Sequence, residues 1–149
     1  MNDFIYKKSW YKLFISRWEI AIIVEAGHKE LHERHNVTDY IKISDNLYFS
    51  FQCLSYPSSN PLNTAELECF CKGLRLVSAQ IADAVQNKPY LIQLRSILFS
   101  DCNIQNDAFT ASAIQWASEA FGFTMPPIKV WFDDTENPCG RYKFDFATK

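Results

Sequence analysis

The segment NTAELECFCKGLRLVSAQIADAVQ, residues 63–86, carries the clearest periodic signal in the chain. Leu67, Phe70, Leu74, Val77, Ile81 and Val85 step by threes and fours, with Glu66, Glu68, Lys72, Arg75, Gln80 and Asp83 between them. That spacing predicts one helix with a single apolar face, which needs another surface to lie on. Asn63 followed three residues later by Glu66 has the composition of a capping box. Asn87-Lys88-Pro89 ends the helix, because a residue before proline avoids the helical region.

The flanks supply the surface. Tyr90 to Phe99 is apolar on both faces apart from Gln93, Arg95 and Ser96, which predicts an interior strand. Upstream the period changes to two: Ile41 and Ile43 against Tyr40 and Lys42, then Leu47, Phe49 and Phe51 against Tyr48, Ser50 and Gln52. Asp45-Asn46 joins these runs as a tight hairpin turn, since both residue types tolerate positive φ.

Downstream, Phe109, Ala113, Trp116, Ala117, Ala120 and Phe121 predict a second helix over about 107–121, capped by Asp107 or Asn106 and ended by Gly122. Ile128, Val130 and Phe132 then alternate with Lys129, Trp131 and Asp133, and Tyr142, Phe144 and Phe146 with Lys143 and Asp145. These pair as a hairpin across the loop Asp134 to Arg141. In the N-terminal segment from Ser9 to about His35, Trp10, Leu13, Phe14, Trp18, Ile22 and Glu25 fall at helical spacing. One long helix, or two broken at Gly27, is expected there. The order α-β-β-α-β-α-β-β reads as a single α+β domain over residues 1–149. Its helices pack on one side of a mixed or mostly antiparallel sheet of about five strands.

Composition bounds the function. A chain of 149 residues with 48% hydrophobic and 15% aromatic content folds around a real core, burying roughly 68–70% of its unfolded surface. The net charge of −2 supplies no broad positive field, so direct nucleic-acid binding is not expected. The most apolar stretch, Ile20 to Val24, is far short of the ~20 residues that cross a bilayer. No membrane role is expected. The start places Asp3 ahead of Lys7-Lys8, with no apolar run after them, and so lacks the pattern of a secretory signal. Cysteines at 53, 69, 71, 102 and 139 form no zinc or redox spacing. Cys69 and Cys71, two apart on a helix, point about 200° from each other. Reduced thiols in a cytoplasmic protein are the expectation.

Motifs for chemistry are sparse. His28 and His32 are spaced i, i+4, and on a helix they could share a metal ion with Glu25 as a further ligand. His35, about 10 Å along the same helix, is too far to join them. The bland alternative is a solvated charged face, Lys29 to His35. There is no nucleophile elbow and no glycine-rich phosphate loop, since the glycines at 27, 73, 122 and 140 are scattered. No cofactor and no catalytic residues are expected.

Charge distribution is more informative. From Phe99 onward seven acids (Asp101, Asp107, Glu119, Asp133, Asp134, Glu136, Asp145) face four bases (Lys129, Arg141, Lys143, Lys149). Residues 1–35 instead hold five acids and six bases. Asp133, Asp134 and Glu136 crowd one loop beside Trp131, a composition suited to docking a basic protein or, more plainly, to an ordinary solvated turn.

The unit from Leu91 to Phe146 resembles small bacterial immunity proteins of contact-dependent growth inhibition and polymorphic toxin systems. It comprises Leu91-Ile92-Gln93-Leu94-Arg95 through Phe99, the helix ending Trp116-Ala117-Ser118-Glu119-Ala120-Phe121, then Lys129-Val130-Trp131-Phe132-Asp133 and Arg141-Tyr142-Lys143-Phe144-Asp145-Phe146. The resemblance implies a cytoplasmic non-enzyme, a monomer or weak homo-oligomer, that binds and neutralises a cognate toxin domain, often a nuclease. Asp133, Asp134, Glu136 and Trp131 are then the expected toxin-facing residues. Two other classes are open. A small metal-binding protein or enzyme would use the His28/His32 face. An adaptor or oligomeric subunit would carry Tyr48, Tyr56 and Tyr142 in a self-complementary patch.

Overall fold

The computed structural model describes residues 4–15, 18–32, 39–51, 62–100, 104–135 and 140–146. Their elements run β1 (Ile5–Leu13), β2 (Ile20–Glu30), β3 (Ile41–Ser44), β4 (Leu47–Ser50), α1 (Thr64–Leu76), α2 (Ser78–Ala84), β5 (Tyr90–Phe99), α3 (Asn106–Phe121), β6 (Ile128–Asp133) and β7 (Arg141–Phe146). Five strands form a mixed sheet in the order β1-β2-β5-β4-β3, and β6-β7 is a separate two-stranded hairpin. The α+β class, the mixed sheet and the helices packed on it are as expected.

The N-terminal helix is not. Residues 5–13 and 20–30 form two antiparallel strands, with Tyr11 opposite Ile22 and Ser9 opposite Val24. The apolar positions at helical spacing belong to two strands whose true period is two. Ile20, Ile22, Val24, Ala26 and His28 are all buried on one side, and the β-branched residues of that run favour a pleated surface. Gly27 breaks nothing. It lies mid-strand under the ring of Tyr6, where an added Cβ would come within 2.9 Å of that ring. The sheet's five strands therefore include β1 and β2, and the C-terminal hairpin stands outside it.

β5 is the interior strand its apolar run predicted, antiparallel to β2 and parallel to β4. A bulge beside Glu25 and Ala26 lets Arg95 and Ser96 face Glu25 together, so Arg95 Nη2 donates to Glu25 Oε2 at 2.6 Å. The turn at Asp45-Asn46 forms as expected, although positive φ among the described non-glycine residues is confined to Gln86 and Asn87. A register shift between Lys42 and Ser44 accommodates the turn instead. Asn46 also anchors the following connection, accepting from the Tyr90 amide and donating to the Asn87 carbonyl.

The helix predicted over 63–86 divides at Val77 into α1 and α2. The Asn63/Glu66 capping box is present in both directions, at 2.8 and 3.0 Å. α3 spans the predicted stretch and ends at Gly122 with φ 77°, as expected. Its N-cap is Gln105, not Asn106 or Asp107, and no side chain caps that end. The small side chains of α3 meet α1 more intimately than they meet the sheet. At Gly73 an added Cβ would lie 2.4 Å from the Thr110 carbonyl oxygen and 2.8 Å from Ala113. Thr110 Oγ1 donates to the Cys69 carbonyl at 2.8 Å across the same crossing. On its other side α3 covers the edge strand. Trp116 Nε1 donates to the Lys7 carbonyl (3.0 Å) and Gln115 Nε2 to the Trp10 carbonyl (2.6 Å). Side chains thus occupy part of the free edge of β1, which blunts strand addition there.

Candidate functional site

The β6-β7 hairpin turns Val130, Phe132, Tyr142 and Phe144 toward the core and Lys129, Trp131, Arg141 and Asp145 outward. It is pinned at two points. The side-chain amide of Gln105 bonds both backbone groups of Tyr142, and the Tyr142 hydroxyl donates to the Trp18 carbonyl (2.8 Å) while accepting from the Ile15 amide (2.9 Å). Trp18 packs edge-on against both Phe132 and Tyr142, at ring-centre distances of 5.1 and 5.9 Å. The β1–β2 turn and the hairpin are consequently one assembly, and it leaves Phe14, Ile15 and Trp131 at 69%, 54% and 44% exposure.

Trp131 sits at the middle of the outward face. Lys129 Nζ lies 5.8 Å from its ring centre, and Lys143 is its cross-strand partner. Asp133 pairs across the hairpin with Arg141, and Lys129 with Asp145. Asp133 Oδ1 accepts from the Thr135 hydroxyl (2.5 Å) and the Thr135 amide (3.0 Å). Those bonds, with a smaller contribution from Lys143, hold its carboxyl below the usual carboxylate range. Asp134 is exposed in the turn, and Glu136 lies outside the described residues. The neighbourhood that read as acidic in sequence thus has basic cross-strand partners at every described acidic position of the two strands.

The metal alternative fails on geometry. Glu25 and His28 are an odd number of residues apart on β2, so they face opposite sides of the sheet. Glu25 is ion-paired with Arg95 on the outer side. His28 is buried on the helix side among Phe121, Tyr90 and Trp116, at ring-centre distances of 4.4, 5.8 and 6.5 Å. Burial lowers its pKa, which favours the neutral imidazole. His32 follows the strand's end, and His35 lies outside the described residues. Among the described residues no three His, Cys, Asp or Glu side chains could hold a metal ion together.

The self-complementary aromatic patch is also corrected. Tyr142 is buried at 1% exposure, Tyr48 is half-buried, and Tyr56 lies outside the described residues. Cys71 is buried with its thiol pushed up to about 11, and burial also raises Cys69, which suits unreactive core thiols. Cys53, Cys102 and Cys139 lie outside the described residues. A cavity of about 340 Å³ between the β3–β4 turn and α2 has Asp45 and Lys88 as its charged lining, both exposed.

Sequence reasoning missed Gln105, whose clamp no local signal announces. The inward place of Tyr142 was available in the alternation with Lys143, and the basic partners of the acidic loop followed from the hairpin's own register. The fold defines an α+β sheet-and-helix layer carrying a docked hairpin. Comparison with protein-family models, curated proteins and solved structures returned no match. Among the described residues no helix is long and apolar enough to cross a membrane.

Proposed function

We propose that this chain is a non-catalytic immunity protein that neutralises a cognate protein toxin domain, with a nuclease the expected class, in the cytoplasm of the cell that makes both. The observation that carries the reading is an exposed tryptophan and a firmly ionised carboxylate, Trp131 and Asp133, on a hairpin fixed to the core by Gln105 and Tyr142. A rigid aromatic anchor loses little conformational freedom on binding, and flanking charges of both signs select a complementary partner. Phe14 and Ile15, tied to the same hairpin, extend the apolar part of the contact.

The test starts from the adjacent upstream reading frame, which the proposal requires to encode a toxin domain. Coexpression of this chain is expected to protect cells from that domain, and the purified proteins are expected to form a complex. Trp131→Ala, and charge reversal at Asp133, Asp134 and Glu136, are each expected to weaken the complex at least about tenfold, the reversal also reducing its salt sensitivity. Failure to protect sinks the function. Protection with unchanged affinity in both variants sinks only the site.

A further inference from the structure

The sheet has a second face, which no described helix covers, and one strand of it carries a regular pattern. The outer side of β1 presents Tyr6, Lys8, Trp10 and Lys12, and the alternation carried one step beyond the strand reaches Phe14. Aromatic and lysine side chains therefore alternate along about 27 Å, with about 7 Å from each to the next. We propose that this strip binds single-stranded nucleic acid, with the rings stacking on bases and the lysines meeting phosphates.

Exposure and charge support that occupant. Trp10 is 57% and Phe14 69% exposed, and Lys8 and Lys12 are exposed. Lys12 Nζ stands 5.4 Å from the centre of the Trp10 ring, and Lys8 lies opposite Glu25 across the β1–β2 pair. On the neighbouring strand Lys29 Nζ lies 4.8 Å from the Phe4 ring. Glu25, the carboxylate on the outer side of β2, is neutralised by Arg95. Arg95 also lies 4.0 Å over the half-buried Tyr6 ring, which rests against Gly27, so the exposed rings of the strip are those of Trp10 and Phe14. Beside Trp10, the backbone and the short side chains of Ala21 and Ile23 leave an apolar groove of about 100 Å³. The net charge of −2 is an average over a polarised molecule, and this face has the opposite sign. Bare charge would suit an acidic peptide equally. The exposed rings of Trp10 and Phe14, spaced by Lys12, favour bases, because stacking accepts any sequence and a lysine between rings can track a backbone.

The experiment is fluorescence anisotropy with a labelled oligouridylate of about 12 nucleotides and the full chain. Saturable binding is expected, with Trp10→Ala weakening it roughly tenfold. The pair Lys8→Gln and Lys12→Gln is expected to flatten the salt dependence of log K by about 1.4. Lys72→Gln, exposed on α1 in the helix layer, leaves affinity within about twofold. Near-UV circular dichroism checks that these surface variants keep the fold. No binding, or binding indifferent to Trp10→Ala, overturns the proposal. Equal competition by polyglutamate reassigns the strip to an acidic protein, and equal binding of duplex RNA removes the stacking argument.

Discussion

The side chain of Gln105 closes on the backbone of Tyr142 from both directions: Oε1 accepts from the Tyr142 amide at 2.9 Å and Nε2 donates to its carbonyl at 2.8 Å. A glutamine here does what a neighbouring strand would do for β7. It joins the start of α3 to the hairpin without extending the sheet. Gln105→Ala leaves two backbone groups unpaired in a buried setting and is expected to cost about 2–4 kcal/mol. Urea denaturation checks this. Tyr142→Phe, which loses the hydroxyl's bonds to Ile15 and Trp18 at the more open end, is expected to cost about 1 kcal/mol.

Gly73 is where α1 and α3 come closest. An alanine methyl there meets the Thr110 carbonyl oxygen and Ala113 before either can yield, so the helices must part. Gly73→Ala is expected to destabilise by about 1–3 kcal/mol, even though alanine favours an isolated helix by about 1 kcal/mol. A gain in the thermal midpoint would contradict the crossing geometry.

His28 provides a pH signature. Its folded pKa lies below the ordinary value of 6.5 because burial disfavours the charged ring. Well above pH 6.5 neither folded nor unfolded chain protonates it, and its contribution to stability is flat. As pH falls through 6.5 the unfolded chain takes up the proton first, so stability declines until the folded pKa is passed. The urea midpoint of the wild type is expected to fall more between about pH 7.5 and pH 5.5 than that of His28→Phe. Parallel declines would show that His28 is not the group responsible.

Arg95 and Glu25 form a partly buried ion pair at the β2–β5 seam, with side chains 30% and 19% exposed. Arg95→Met strands a half-buried carboxylate and removes the ring stack on Tyr6, with an expected cost of about 1–2 kcal/mol. Adding Glu25→Gln is expected to recover about half of that loss, a coupling that a double-mutant cycle measures.

Legibility in the sequence followed the locality of the signals. The capping box at Asn63 and Glu66, the left-handed Gly122 and the two downstream hairpin strands depend on residues close to one another, and each was readable. The N-terminus misled because Trp10, Leu13, Phe14, Trp18 and Ile22 fall at helical spacing by coincidence across two strands. The alternation of Lys8 and Lys12 with Tyr6, Trp10 and Phe14 was the competing signal. At the candidate site, the exposure of Trp131 was readable from its alternation. The clamp of Gln105 on Tyr142 spans 37 residues and has no local signature. The basic partners of the acidic loop became evident once Asp133 and Arg141 were known to be opposite each other.

The strand order β1-β2-β5-β4-β3 sets a timetable for synthesis. Two hairpins, β1-β2 and β3-β4, leave the ribosome before the strand that joins them exists. Until Tyr90 to Phe99 emerges, β2 and β4 each present an unsatisfied apolar edge, the kind of surface on which nascent chains aggregate. β5 is the keystone of the arch, and a chain halted before it carries two half-sheets with nothing to close them.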